Sequence, residues 1–271
     1  MKVAAIQMVS GISLDANLAA ARALLEQAAR EGAELAALPE YFCIMGQRDT
    51  DKLALREEPG HGRIQQFLAT AARELGLWIV GGTLPLRAPS DDHVFNTTLV
   101  YSPQGECVAR YDKIHLFRFD NGSEHFNEAH VITPGSQPVR FTMTARDGSA
   151  WRVGLSVCYD LRFPELYRAH AQAGADLLLV PSAFTFTTGC AHWEILLRAR
   201  AVENLAYVLA PAQGGIHENG RRTWGHSMLV DPWGTVLAQR AEGAGVVLGT
   251  LEPPQLRAMR TQLPALDHRM L

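Results

Sequence analysis

The sequence predicts an α/β fold with mixed sheets, on three observations. Short apolar runs that suit buried strands alternate with segments that repeat apolar residues at helical spacing. The centre of the chain has no room for helices and instead carries two apolar runs around a turn sequence. No linker or shift of composition divides the chain, so we expect one domain over residues 1–271.

The first third of the chain follows the strand–helix alternation. The apolar periods, the capping residues and the glycines that end helices define each element. The predicted elements, in order, are a strand at 3–8, a helix that Asp15 caps and Gly32 ends, a strand at 35–38, a helix at 64–75 and a strand at 77–83.

The remainder begins with an antiparallel hairpin, in which residues 96–101 and 106–115 flank the turn sequence Ser-Pro-Gln-Gly. A polar loop is predicted over 116–137, and loops of this length are more often functional than filler. The predicted elements after it are strands at 138–144 and 151–158, a helix at 164–174, a strand at 175–183, a helix at 189–204, a strand at 206–212, a hairpin turning at 231–234, a strand at 246–251 and a short closing helix.

Composition excludes several classes of protein. With 47% hydrophobic and 20% charged residues, the chain is neither disordered nor fibrous. The net charge of −3 and the lack of a basic block argue against a nucleic-acid partner. No apolar run is long enough to span a membrane, and the N-terminus turns polar at Gln7, too early for a signal peptide. Four cysteines without a Cys-x-x-Cys pair favour reduced thiols, so we expect a cytoplasmic protein.

Common cofactor and metal motifs do not occur in the sequence. It has no Gly-x-Gly-x-x-Gly after a strand and no P-loop, so a nucleotide cofactor is not expected. No His-Glu-x-x-His appears, and the ten histidines lack metal-ligand spacing, so no metal is expected either. The absence of Gly-x-Ser-x-Gly argues against a serine hydrolase elbow.

Three reactive side chains follow apolar strands. They are Glu40, Lys113 and Cys158, each at the end of a predicted strand, where α/β sheets collect their ligands. Taken singly, the cysteine would be a small core residue and the two charges would be solvated. Together they supply a nucleophile, a base for its proton and a cation for an oxyanion. The combination therefore favours nucleophilic catalysis at a site that the fold assembles.

The segments around these residues, LAALPEYF, YDKIHLF and CYDLRFPE, resemble the nitrilase (carbon–nitrogen hydrolase) superfamily over nearly the whole chain. The resemblance implies a four-layer α-β-β-α sandwich that forms homodimers, a catalytic set of Glu40, Lys113 and Cys158, and no cofactor. It also implies a second glutamate, which matches Glu128, with Glu124 close by as the alternative. Further segments, among them WGHSMLVDPWGTVLA, are similar to the branch of deaminated-glutathione amidases.

Further residues receive expectations from this resemblance. The Tyr159 N–H is the natural second oxyanion donor. Arg162 forms either a structural ion pair with Asp160 or a contact with the substrate. His192 and His226 are candidates for the lining of the pocket and for its hydrogen bonding.

The implied function is hydrolysis of a linear amide through a thioester, with deaminated glutathione as the expected substrate. This substrate carries two carboxylates, and the candidate cations for them are Arg118, His125, Arg162, His217, Arg221 and Arg222. The alternatives are an ω-amidase that acts on 2-oxoglutaramate, an amidase for another small amide such as a carbamoyl amine, and a catalytically idle binding or scaffold protein. We further expect a homodimer or higher homo-oligomer whose two-fold contact uses the helices following Cys158 and Cys190.

Overall fold

Two mixed β-sheets carry the chain in the computed structural model, which describes residues 1–270. The elements of the first half are β1 (Lys2–Gln7), α1 (Leu14–Arg30), β2 (Leu35–Ala37), α2 (Asp51–Ala54), α3 (Arg63–Leu75), β3 (Trp78–Val80), β4 (Leu84–Arg87), β5 (Val94–Tyr101), β6 (Cys107–Asp112), β7 (Arg118–Asp120) and β8 (His125–Asn127). Those of the second half are β9 (Arg140–Thr144), β10 (Ala150–Leu155), α4 (Pro164–Gln172), β11 (Leu177–Leu179), α5 (Phe186–Asn204), β12 (Tyr207–Ala210), β13 (Gly214–Ile216), β14 (Arg222–Trp224), β15 (Ser227–Val230), β16 (Val236–Arg240), β17 (Gly245–Thr250) and α6 (Pro253–Gln262).

Each sheet contains a β-α-β-α-β unit. The first sheet has the order β17-β1-β2-β3-β5-β4, with β6 on the other side of β5, and β1, β2 and β3 run parallel. The second sheet has the order β16-β15-β12-β11-β10-β9, with β10, β11 and β12 parallel. Antiparallel strands extend both units, so the predicted mixed sheets are confirmed.

The layers follow from the alternation of side chains along buried strands. In β1, Val3 and Ala5 join a core shared with the second sheet, whereas Ala4 and Ile6 join the core beneath α1 and α3. On the far side of the second sheet, Trp193 and other apolar residues of α4 and α5 pack against the strands. The result is the α-β-β-α sandwich that the family resemblance implied.

Several local predictions need correction. Ser13, not Asp15, caps α1, because its side chain accepts a hydrogen bond from the Ala16 N–H, and Asp15 lies in the first turn. Residues 116–137 are not a plain loop, since they contain the β7–β8 hairpin and a 3-10 turn at 128–130. The hairpin of β13 and β14 was not predicted, because strands of three residues give no periodic signal. Among the described residues, no helix is long and apolar enough to cross a membrane.

Candidate active site

Glu40 follows the C-terminal end of β2 and lies between the two sheets. Its position depends on Gly82, whose φ of +52° lies in the left-handed region. A Cβ on Gly82 would stand 2.1 Å from the Pro39 carbonyl oxygen, so only glycine permits this close approach. Both carboxylate oxygens of Glu40 are held, because Asn96 Nδ2 donates to Oε1 at 2.9 Å and the Ala183 N–H donates to Oε2 at 3.0 Å.

Cys158 lies in a sharp turn just after the C-terminal end of β10. Its φ of +50° is unusual for a residue with a side chain and indicates a strained backbone. The Cys158 N–H donates to the Pro181 carbonyl at 2.9 Å, which ties the turn to the chain that follows β11. A 3-10 turn over Cys158–Arg162 begins here, and N–H groups at the start of such a turn, including that of Tyr159, have no acceptor within it.

Asp160 connects this turn to the chain beyond β6. Its Oδ2 accepts from the Val157 N–H at 2.8 Å and from the Tyr111 hydroxyl at 2.6 Å. Its Oδ1 accepts from the His115 N–H at 3.0 Å and lies 2.7 Å from His115 Nδ1. Of the two alternatives for Arg162, the ion pair with Asp160 is therefore wrong, because His115 occupies the place predicted for the arginine.

Lys113 lies between two carboxylates. Its Nζ is 2.9 Å from Glu40 Oε1 and 2.8 Å from Glu128 Oε2. The Lys113 side chain is 0% exposed, so its charge depends on these partners. Glu128 is held further by the Tyr41 hydroxyl, which donates to Oε1 at 2.6 Å, and by the Phe117 N–H, which donates to Oε2 at 2.7 Å.

The same geometry separates the two candidates for the second glutamate. Glu124 accepts from the Thr187 hydroxyl at 2.7 Å and has no contact with Lys113. Glu128 contacts Lys113 directly, so it is the second carboxylate of the cluster.

A pocket opens over this cluster. Glu40, Glu128, Cys158 and Tyr159 line it together with two arginines, Arg162 and Arg221. The structure thus brings together the four residues predicted to be catalytic. Among the described residues, no group of three or more His, Cys, Asp or Glu is arranged to hold a metal ion.

Comparison with known proteins decides the family. The profile of the family Carbon-nitrogen hydrolase matches residues 2–261. The chain is 40% identical over 270 residues to a deaminated glutathione amidase from Synechocystis, covering 98% of this chain and 97% of that protein. It is 41% identical over 271 residues to the human deaminated glutathione amidase, covering 98% and 81%. Its structure matches that of Nit3 from Saccharomyces cerevisiae, a member of branch 10 of the nitrilase superfamily, with a TM-score of 0.87, 30% identity and coverage of 100% and 97%.

The chain belongs to the carbon–nitrogen hydrolase family. Its residues and its relatives together identify an amidase, so an idle scaffold no longer stands as an alternative.

In this carbon–nitrogen hydrolase, the pKa shifts of the site keep the Cys158 thiol protonated until a base takes its proton. Burial, and then the charge of Glu40, raise the pKa of Cys158 well above its ordinary value, and Lys113 only partly opposes them. Burial alone would lower the pKa of Lys113, but Glu128 and Glu40 raise it more, so the ammonium stays charged. Burial would raise the pKa of Glu128, yet Lys113 brings it below the ordinary value. The resting site therefore holds a neutral thiol beside a carboxylate and a fixed cation.

The candidate cations divide into two groups. Arg162 and Arg221 line the pocket, and within residues 1–270 neither guanidinium has a carboxylate within ion-pair distance. Arg162 lies over the rings of Tyr159 and Phe184, with its Cζ 5.7 Å and 5.5 Å from their centroids.

The other four cations have different surroundings. Arg118 is exposed on β7, His125 pairs with Asp120, and Arg222 pairs with Glu242. His217 is buried between the Ser10 carbonyl and the Thr223 hydroxyl, and burial lowers its pKa, so it is a neutral structural residue.

Two residues predicted to bind substrate lie outside the pocket lining. His192 is exposed on α5 and reaches the site only through Arg162, with its Nδ1 3.3 Å from Arg162 Nη1. His226 stacks on Trp224 with centroids 4.1 Å apart, and its carbonyl accepts from the indole N–H of Trp193. Both therefore contact the walls of the site and not its interior.

Three groups of the site were missed at the level of sequence: the Asn96 amide, the Tyr41 hydroxyl and the Ala183 N–H. Asn96 gives a readable signal, because it is a polar residue within the apolar strand β5. Tyr41 directly follows Glu40, which is a weaker signal. The Ala183 N–H belongs to the backbone and gives none.

Proposed function

We propose that this amidase hydrolyses deaminated glutathione to 2-oxoglutarate and cysteinylglycine. One observation supports the proposal most strongly: the buried cluster of Glu40, Lys113, Glu128 and Cys158 opens into a pocket with two arginines that lack carboxylate partners. A dianionic substrate would supply those partners, since carboxylates taken out of water need charge-assisted donors. The names of the Synechocystis and human relatives agree with this substrate.

In the acylation step, Glu40 takes the proton of the Cys158 thiol as the sulfur attacks the amide carbonyl. Lys113 and the Tyr159 N–H stabilise the resulting oxyanion, and a donor of this kind is typically worth about 10²–10³ in kcat. The carbon–nitrogen bond then breaks as Glu40 returns the proton to the leaving amine. Cysteinylglycine departs, and a thioester to Cys158 remains.

In the deacylation step, Glu40 acts as a base again, now toward water. The hydroxide attacks the thioester, a second oxyanion forms at the same donors, and the carbon–sulfur bond breaks. The Cys158 thiol recovers its proton and 2-oxoglutarate is released. Glu128 contacts the Lys113 ammonium in addition to Glu40, and so helps to keep the cation in place through both steps.

Arg162 is the residue that we assign to the carboxylate of the 2-oxo acid. Its guanidinium lies over two aromatic rings of the pocket wall and contacts His192 through Nη1, which leaves its other N–H groups for a ligand. The Cys158 turn carries Arg162, so the acyl carboxylate would be positioned relative to the nucleophile by one rigid segment.

The test compares kcat/KM for deaminated glutathione and for 2-oxoglutaramate, with 2-oxoglutarate as the measured product. We expect a preference for deaminated glutathione. A clear preference for 2-oxoglutaramate would make the protein an ω-amidase, and turnover of neither would contradict a 2-oxoglutaryl substrate altogether.

We also propose that the enzyme is a homodimer. Ile195 and Val202 on α5 and the neighbouring Trp233 are 69%, 46% and 53% exposed, and they line one surface groove. A second copy related by a two-fold axis would cover these apolar side chains. Light scattering at micromolar concentration should give about twice the monomer mass of 29.7 kDa. A mass near that of the monomer would contradict this proposal.

The thiol chemistry further supports a location in the reducing cytoplasm. All four cysteines are free, and the mechanism needs Cys158 reduced.

A further inference from the structure

A second cavity adjoins the catalytic pocket. It measures about 450 Å³ and is lined by residues 44–49, by part of the β7–β8 hairpin and by the turn between β13 and β14. Tyr41 and Arg221 line both cavities, so the two are neighbours that meet at these side chains. We call this second cavity the outer groove. It offers space for a large leaving group next to the pocket that holds Cys158.

The charges of the outer groove distinguish one residue. Four of its five basic side chains are already paired: Arg48 with Asp51, Lys52 with Asp49, His125 with Asp120, and Arg222 with Glu242, at 3.0–3.8 Å. Arg221 is the exception in the described part of the chain, since no carboxylate lies within ion-pair distance of it.

The surroundings of Arg221 leave its hydrogen-bonding capacity largely unused. Its Cζ lies 4.9 Å from the Phe126 ring centroid, and within residues 1–270 the only hydrogen-bond partner of Nη1 is the Met45 sulfur, at 3.9 Å. Its Nε is buried and has no hydrogen-bond partner among the same residues. A buried guanidinium N–H without an acceptor is destabilising unless a ligand completes it.

The turn that carries Arg221 is fixed from both sides. The His217 N–H donates to the Arg221 carbonyl at 2.8 Å, and the Arg221 N–H donates to Asn219 Oδ1 at 2.9 Å. Asn219 Nδ2 donates to the Gly46 carbonyl at 2.6 Å, and the buried His217 ring lies 2.8 Å from the Ser10 carbonyl. The backbone of Arg221 is thus anchored to the segment beyond β2, which reduces the entropy lost on binding.

We propose that the outer groove is the leaving-group subsite, and that Arg221 binds the carboxylate of a peptide-like amine such as cysteinylglycine. This inference rests on the proposed function and adds to it a direction of binding: the acyl carboxylate lies at Arg162, and the amine extends past Tyr41 to Arg221. It also assigns Arg221 to specificity for the amine. Arg221 should have no part in the bond-breaking step, because its role is to bind the end of the leaving group.

The test uses three amides of 2-oxoglutarate that differ only in the amine. They are deaminated glutathione, the same compound with its C-terminal carboxylate capped as an amide, and 2-oxoglutaramate, whose leaving group is ammonia. The variants are Arg221→Gln, Arg221→Lys and, as a matched control, Arg118→Gln, which removes an exposed arginine outside both cavities. Thermal unfolding of each variant verifies that it is folded.

We expect Arg221→Gln to lower kcat/KM for deaminated glutathione by about 10- to 100-fold, mainly through KM, because hydrogen bonds between charged groups are of this strength. The loss for the capped amide and for 2-oxoglutaramate should stay below about threefold. Arg221→Lys should give an intermediate loss, since the charge remains but the two-pronged geometry does not. Arg118→Gln should match the wild type with all three amides.

An equal loss of kcat/KM with the capped and uncapped amides would overturn the inference, because Arg221 would then not read the carboxylate. No loss with any amide would overturn it as well. These outcomes are separate from failure of the proposed function, which the wild-type enzyme alone reveals: if it releases no 2-oxoglutarate from deaminated glutathione, the proposed function falls and the inference falls with it.

Discussion

The active site has an inner part, formed by the catalytic cluster of Glu40, Lys113, Glu128 and Cys158, and an outer part, formed by Arg162 and Arg221. The two parts differ in how their charges are satisfied. In the inner part, every carboxylate oxygen of Glu40 and Glu128 has a donor from the protein, and the Lys113 ammonium contacts both residues. In the outer part, Arg162 and Arg221 rest on aromatic rings and have no carboxylate partner among residues 1–270.

The difference reflects two tasks. A group that stabilises a transition state works best when it is already fixed before the reaction, because it then costs no reorganisation. A group that binds substrate must instead leave its hydrogen bonds open for the ligand. The inner charges are therefore expected to affect kcat and stability, and the outer charges to affect KM.

The largest expected effect is on activity alone. Replacing Cys158→Ala removes the nucleophile, so no thioester forms and 2-oxoglutarate release should fall to background. The free energy of unfolding should change by about 1 kcal/mol or less, because one buried atom is lost and no charge loses its partner. Activity assays and urea unfolding measure the two effects. A folded variant with normal turnover would contradict the assignment of the nucleophile.

Replacing Lys113→Met should affect both activity and stability. Loss of the oxyanion donor should lower kcat by about 10²–10³. Removal of one member of a buried charge cluster typically costs about 3–5 kcal/mol, because Glu40 and Glu128 then lack their cation. A change confined to KM would instead make Lys113 a substrate anchor.

The pH dependence of this variant gives an independent test. In the wild type, Lys113 lowers the pKa of Glu128, so the stability from this pair is present above the ordinary glutamate pKa of about 4.3 and is lost as pH falls through the folded value. The raised pKa of Lys113 gives stability that is fully present below about 10.4 and is lost as pH rises through the folded value. In Lys113→Met the buried carboxyls should instead bind protons more readily, so its deficit in urea unfolding should shrink from pH 7.5 to pH 5. A deficit independent of pH would contradict this account.

The sequence predicts the inner residues well, for a physical reason. Glu40 and Cys158 follow buried apolar strands, and Lys113 directly follows the hairpin strand β6, so the chain itself marks where each strand ends and the reactive residue begins. Their contacts are less predictable. Asn96 and the Ala183 N–H meet the same carboxylate only because the two sheets pack together, and sheet packing leaves no local pattern.

The outer residues were harder to sort from sequence. Six cations in loops looked equivalent, yet the structure puts only Arg162 and Arg221 in the pocket. The other four are exposed, paired or buried elsewhere, as the adjacent Arg222 shows by its contact with Glu242. Short hairpins determine which of these cations reach the pocket. Strands of three residues such as β13 and β14 are too short for the sequence to reveal their register.

Asp160 connects the turn after β10 to the chain beyond β6. We expect its substitution to affect activity less than substitution of the catalytic charges. Replacing Asp160→Asn keeps the shape but turns one acceptor into a donor, which would face either the Val157 and Tyr111 donors or those of His115. We expect kcat to fall about 10-fold and stability to fall by about 1–3 kcal/mol, with KM little changed. As the matched control, Asp120→Asn removes an exposed carboxylate of the β7–β8 hairpin, which pairs with His125 and accepts from the Gly122 N–H, and it should have no effect on kcat. Equal effects of both substitutions would show that Asp160 has no special role in positioning the site.

The smallest expected effect lies at the outer wall, where Arg162→Gln should raise KM and leave kcat within about threefold of the wild type. Its guanidinium contacts no residue of the inner cluster, and its exposed neighbour His192 already occupies one N–H. The two substrates to compare are 2-oxoglutaramate and butyramide, which share a primary amide but differ in the 2-oxo acid group. The variant should lose about 10-fold in kcat/KM with 2-oxoglutaramate, because a charge-assisted hydrogen bond is removed, and should change little with butyramide. His192→Ala, which removes only the neighbour of Arg162, should give a weaker form of the same pattern. If Arg162→Gln instead lowered kcat equally for both amides, the arginine would act on the reacting centre, and the division between inner and outer charges would fail at this residue.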